Sequence, residues 1–193
     1  MGAGAMRLFV IAGEPSGDLL GGALLSGLRA LVPDLEVLGV GGPAMQAQGL
    51  SSIFPMSDLS VMGLAEVIPR YPLLRRRLHQ ASSAVLDARP AALITIDSPD
   101  FGLRVARRVK AASVIRTVHY VAPTVWAWRP GRAGKMARVI DQVLALFPFE
   151  PPYMEEAGMR CDFVGHPVVA APQASPAECA AFRAGLGLGD APL

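Results

Sequence analysis

Two acid-containing turns in this sequence have the composition of a site that handles hydroxyl groups. Gly13-Glu14-Pro15-Ser16-Gly17-Asp18 follows the apolar run Leu8–Ala12, and Asp97-Ser98-Pro99-Asp100-Phe101 follows the apolar run Ala92–Ile96. A carboxylate at the end of a strand can act as a general base when it lies within hydrogen-bond reach of an attacking hydroxyl. Asp97 is the choice for that base, because it has the poorer structural excuse. Glu14, Ser16, Asp18 and Asp100 suit the binding of a hydroxyl-rich ligand such as a sugar. A dinucleotide loop would read G-x-G-x-x-G, so that backbone amides could approach a pyrophosphate. Here two carboxylates, Glu14 and Asp18, would repel one. Plainer roles compete with these. Ser16 could cap a helix, Asp18 could be an acid in its first turn, and Asp100 could cap a helix over Phe101–Ala111. None of them explains Glu14.

The run from His119 to Arg129 places both tryptophans, Trp126 and Trp128, in one loop with Arg129. Aromatic faces stack on sugar C–H surfaces or lipid, and a guanidinium offers a fork for phosphate oxygens. The competing reading packs both tryptophans in the core and leaves Arg129 exposed at a helix start. His119, inside a β-branched strand, reads as a hydrogen-bonded core histidine. No His, Cys or Asp cluster has zinc spacing, so no metal is expected, and no cofactor either. Between Val61 and Leu78, apolar residues alternate with arginines. Ala65, Val67, Ile68, Arg70, Tyr71, Leu74 and Arg75 have the make-up of an interfacial surface on an anionic bilayer. Pro69 and Pro72 are expected to break this first half and free it to protrude. In the second half, Leu74, Leu78, Ala81 and Val85 have the spacing of a sheet-covering helix.

These groups need a scaffold that gathers strand ends. Strand candidates recur at Leu8–Ala12, Glu36–Val40, Ala92–Ile96, Ser113–Val121, Gln142–Leu146 and Asp162–Val164, with helical patterns between most of them. In the first helix Leu20, Leu24, Leu28 and Leu31 share one face. This alternation predicts an α/β fold with a doubly wound, mainly parallel sheet, in which ligands sit beyond the carboxyl ends of the strands. Gly165-His166-Pro167 and Ala170-Ala171-Pro172 read as a linker, and Ser175-Pro176-Ala177-Glu178 as a capping box opening one more helix.

The 193 residues, 52% hydrophobic and 18% charged, suit one globular domain with a full core. No apolar run approaches a membrane span. Cys161 and Cys179 lack C-x-x-C spacing and a neighbouring His, and read as free buried thiols in a reducing cytoplasm. The net charge of +2 conceals an asymmetry: residues 67–138 hold 14 of the 18 basic residues but only three of the 16 acids. Such a segment favours an anionic partner. Nucleic acid is the weakest candidate, since no recognised binding motif accompanies the charge.

Gly13–Asp18, Gly41-Gly42-Pro43-Ala44-Met45, Val61-Met62-Gly63, Ile96–Phe101, His119–Arg129, Phe147-Pro148-Phe149-Glu150 and Gly165-His166-Pro167 together resemble the amino-terminal half of the lipid-A-disaccharide synthase family. The resemblance runs through nearly all of residues 6–190. It implies a Rossmann-like domain of a GT-B-type inverting glycosyltransferase. Its substrates would be UDP-2,3-diacylglucosamine and 2,3-diacylglucosamine 1-phosphate, handled at the cytoplasmic face of the anionic inner membrane. The family's essential aspartate falls on Asp97 and its membrane-contacting patch on Ala65–Leu74. Residues 1–165 would then be the acceptor-binding domain, and 166–193 a linker and the start of a donor-binding domain, with little turnover expected from this chain alone. Self-association into a homo-oligomer stays open. A UDP-sugar 2-epimerase-like enzyme and a non-catalytic lipid-phosphosugar-binding module are the alternatives, and the lack of a glycine fingerprint disfavours a nicotinamide enzyme.

Overall fold

The computed structural model describes residues 6–60, 64–127 and 131–188, with side chains from residue 69 onward in the helix that opens at Leu64. Seven strands form one parallel sheet: β1 (Arg7–Ala12), β2 (Glu36–Val40), β3 (Ser51–Ser52), β4 (Ala92–Ile96), β5 (Arg116–Tyr120), β6 (Gln142–Ala145) and β7 (Arg160–Phe163). Their order is β3-β2-β1-β4-β5-β6-β7. The expected fold class is therefore the observed one. Four of the five interior strands, all but β5, are apolar on both faces, as a sheet covered by helices requires. β3 escaped the sequence reading because two serines carry no apolar signal. β5 starts three residues later than expected, since Ser113 ends the preceding helix and Val114 is fully exposed.

The chain winds outward twice from the centre, and the crossovers separate the helices by face. α1 (Pro15–Leu31) and α2 (Pro43–Ala47) cover one side, where Leu20, Leu25 and Met45 meet Val10, Ile94 and Ile96. α3 (Leu64–Ala88), α4 (Pro99–Ala112), α5 (Gly131–Met136) and α6 (Pro151–Glu156) cover the other, with Val85, Val105, Val109, Met136 and Met154 in one cluster with Phe9 and Leu93. On α1 the expected leucine stripe is only partly buried, and Leu31 is exposed. Leu24 and Leu28 instead line an open apolar groove of about 570 Å³ with Tyr120, Leu144 and Val164.

Pro69 and Pro72 do not break the chain as expected: α3 is one helix through both. Its 25 residues span about 37 Å, against about 21 Å for the 14 residues of α4. The two helices pack together, and each ends three residues before its next strand. The extra length of α3 therefore projects beyond the carboxyl edge of the sheet. After β7 come a 3-10 turn (Pro167–Ala170) and α7 (Pro176–Gly185). The expected capping box is present, Ser175 accepting from the Glu178 amide and Glu178 from that of Ser175. α7 buries none of its residues, so Cys179 is exposed rather than buried as expected, while Cys161 is buried.

Candidate active site

The sheet order reverses between β1 and β4, and the loops leaving these two strands meet at that switch point. In doubly wound proteins this crevice is where ligands bind. Gly17 lets α1 approach closely: a Cβ there would lie 3.3 Å from the Ile96 carbonyl oxygen and 3.7 Å from the Asp97 Cβ. Across the gap, the Ser16 hydroxyl donates to Asp97 Oδ2 at 3.1 Å. Asp97 is half-buried, and its backbone amide donates to the Tyr120 carbonyl at 3.0 Å. Both Asp97 (φ 51°) and Ser98 (φ 28°) adopt left-handed backbone, as does Val121 at the end of β5 (φ 85°). Each such residue costs on the order of 1–3 kcal/mol, and strain of this kind clusters at functional sites.

The remaining sequence candidates sort by position. Glu14 is half-buried at the N-terminus of α1, and Ser16 is exposed within the first turn rather than capping it. Asp100 lies in the first turn of α4, its side chain 92% exposed and 3.9 Å from Arg132. The residue preceding that helix is Ser98, so Asp100 is not its cap. Asp18 requires a correction. It is only 4% exposed, and its carboxylate accepts from the amides of Gly42 (2.8 Å), Ala44 (2.9 Å) and Met45 (3.1 Å). Its oxygens fasten α2 to α1 and are not available to a ligand.

Trp126 is half-exposed, its ring set edge-on against Phe149. Trp128 and Arg129 lie outside the described residues. Arg132, in the first turn of α5 and 3.9 Å from Asp100, is a cation near the site that the sequence reading did not single out. Its signal was the Arg-x-x-Arg spacing with Arg129.

His119 is a buried core histidine, as expected. It stands beside Thr95 in the β4–β5 register, with its Nδ1 2.7 Å from Thr95 Oγ1. Burial pushes the imidazole down to about 4, with the Asp97 charge opposing that fall and Arg132 adding to it. The ring is neutral at pH 7. The unfolded chain takes up a proton here near the ordinary 6.5, so between 6.5 and 4 it holds more protons than the folded chain. Stability should therefore rise with pH across this window and be lost as pH falls, by about 2 kcal/mol between 6.5 and 5. Urea midpoints measured over that range should flatten in His119→Gln. Parallel pH profiles would show an imidazole that titrates normally.

On α3, Arg70, Tyr71 and Arg75 are exposed and Leu74 is half-buried, while the side chains of Ala65, Val67 and Ile68 lie outside the described residues. The arginine cluster is smaller than its sequence suggests. Arg77 pairs with Asp58 at 2.7 Å and sits 4.8 Å above the Phe54 ring. Among the described residues, no group of three or more His, Cys, Asp or Glu could hold a metal ion, and no helix is long and apolar enough to cross a membrane.

A parallel sheet with helices on both faces and polar side chains gathered at its switch point defines a Rossmann-like α/β domain. Solved structures share this fold. A UDP-N-acetylglucosamine 2-epimerase matches with a TM-score of 0.57 at 12% identity, over 86% of this chain and 54% of its own. Anabaena Alr3699/HepE in complex with UDP-glucose matches with a TM-score of 0.55 at 14% identity, over 96% of this chain and 50% of its own. The family described as lipid-A-disaccharide synthetase matches residues 8–188, and the chain belongs to it. Lipid-A-disaccharide synthase of Ruegeria pomeroyi is 69% identical over 97% of this chain, and that of Pseudomonas aeruginosa 51% over 96%. These alignments cover 47% and 49% of the relatives, so the chain spans about half their length.

Proposed function

We propose that this chain is the acceptor-binding half of an inverting glycosyltransferase joining UDP-2,3-diacylglucosamine to 2,3-diacylglucosamine 1-phosphate, with release of UDP. The observation that carries the reading is Asp97, a half-buried carboxylate on left-handed backbone at the switch point, its Oδ2 accepting from the Ser16 hydroxyl. In the reaction a primary hydroxyl of the acceptor attacks the anomeric carbon from the face opposite UDP. Its proton passes to Asp97 as the new C–O bond forms, and the bond to the diphosphate breaks. Glu14 and Asp100 hold sugar hydroxyls, Ser16 orients the base, and Arg132 or Arg129 meets the acceptor phosphate. Residues 1–165 form the acceptor domain, and 166–193 lead into a donor-binding domain. The relatives' greater length and the unburied α7 support that division. Calorimetry on residues 1–193 should detect the acylated phosphosugar and no UDP. Micromolar binding of UDP would assign the donor site to this half instead.

On the same reading, residues 64–74 meet the cytoplasmic face of an anionic inner membrane with Arg70 and Arg75 beside Tyr71 and Leu74; the length of α3 and the exposure of Arg70, Tyr71 and Arg75 support it. Each arginine near such a surface contributes about 1 kcal/mol, screened as salt rises. Binding should be stronger to anionic than to neutral vesicles and weaken with salt. The triple replacement Val67→Ser, Ile68→Ser, Leu74→Ser should reduce it while the domain stays folded. If that variant unfolds, these side chains belong to the core.

A further inference from the structure

One feature of the carboxyl edge is not used by this mechanism. The loop after β6 carries Phe147 and Phe149 with rings stacked at 5.7 Å and 13°. Trp126, from the loop after β5, stands edge-on to Phe149 at 5.3 Å and 87°. All three rings are 46–47% exposed, so a continuous aromatic surface faces outward. The loop is held rigidly. Glu150 is 3% exposed, and one of its carboxylate oxygens accepts from the amides of both Leu146 and Phe147 at 3.0 Å. Burial pushes this carboxyl up despite those two bonds. Pro148 and Pro151 restrict the backbone on either side. An ordered, exposed aromatic surface of this kind marks a binding site.

We infer that the Trp126–Phe149–Phe147 ladder binds an acyl chain of the lipid substrate, a proposal that rests on the glycosyltransferase reading above. The chemistry selects an alkyl ligand. The loop's one ionisable side chain, Glu150, spends its carboxylate on backbone amides, which leaves the two phenylalanines with nothing to offer a hydroxyl or a phosphate. Position selects the substrate's own chain. Adjacent strands lie about 4.8 Å apart, so the end of β6 is roughly 10 Å from the end of β4, where Asp97 begins its turn. The ladder is thus within the length of a long acyl chain on a sugar held in the crevice. Because the rings are preorganised, little ordering opposes binding.

The test compares dodecanoyl and butanoyl forms of 2,3-diacylglucosamine 1-phosphate, titrated against a chain extended to the length of its relatives. Phe147→Ala/Phe149→Ala should weaken the dodecanoyl form about tenfold and the butanoyl form less than about twofold, because only the long chain reaches the rings. Thermal unfolding should be little changed, and the single variant Phe149→Asn should reproduce part of the loss if the double variant folds poorly. Equal loss for both forms with a lowered Tm would overturn the inference and give the ladder to packing against the rest of the polypeptide. Unchanged affinity for both would also overturn it while leaving the glycosyltransferase reading intact. Failure of the wild-type protein to bind either form would sink that reading, and this one with it.

Discussion

Asp97→Asn, in a chain extended to the length of its relatives, should lose about 10²–10⁴ in turnover with its thermal unfolding unchanged. The amide keeps the shape of the carboxylate and can still accept the Ser16 hydroxyl bond now made at 3.1 Å. It also tolerates the backbone at φ 51°, since asparagine, like aspartate, enters the left-handed region more readily than most residues with a Cβ. What the substitution removes is the capacity to take a proton. The loss should therefore fall on kcat, with the acceptor KM nearly constant, because a base acts in the transition state rather than in binding. Near-normal turnover by the folded variant would move the role to Asp100 or Glu14. Asp100 is the weaker substitute, being almost wholly exposed, with Arg132 3.9 Å away among the described residues.

Asp18→Ala should behave in the opposite way, costing stability with no direct effect on ligand binding. Three amides at the start of α2 lose their acceptor at a site closed to water, and Gly42 sits so close that a Cβ there would lie 2.6 Å from Asp18 Oδ2. Leaving buried donors unsatisfied costs about 1–3 kcal/mol each before relaxation, so a loss of about 3–4 kcal/mol and a clear fall in Tm are expected. Asp18→Asn, which retains one acceptor oxygen, should lose less. An Asp18→Ala protein of unchanged Tm that no longer binds the phosphosugar would return this carboxylate to the ligand.

The contrast between these aspartates shows what the sequence could reveal. Strand and helix periodicity located six of the seven strands and the turns that carry Glu14, Ser16, Asp97 and Asp100, because buried parallel strands are apolar on both faces and stop abruptly. The use made of each carboxylate was not legible. Asp18 and Asp97 both stand in polar turns after strands, and only the meeting of α1 with the Gly41–Met45 turn consumes one of them. That meeting joins residues more than twenty positions apart, beyond any local pattern. Pro69 and Pro72 misled as well. Proline's local cost in a helix was visible, yet α3 runs through both, and nothing in the structure explains that continuity. The aromatic ladder was hidden likewise, since Trp126 and Phe149 come from different loops.

The central place of β1 also governs how the protein is made. β1, β2 and β3, with α1 and α2, can assemble as soon as they are synthesised, but the other edge of β1 waits for β4. Some fifty residues separate the end of β2 from β4, which is about 3–10 s of elongation at usual rates. Throughout that interval Phe9, Val10 and Ile11 offer an unpaired apolar edge, the kind most prone to join another chain. The same strand that later positions the crevice is therefore the nascent polypeptide's most vulnerable segment, and overproduction should be limited there rather than in the finished fold.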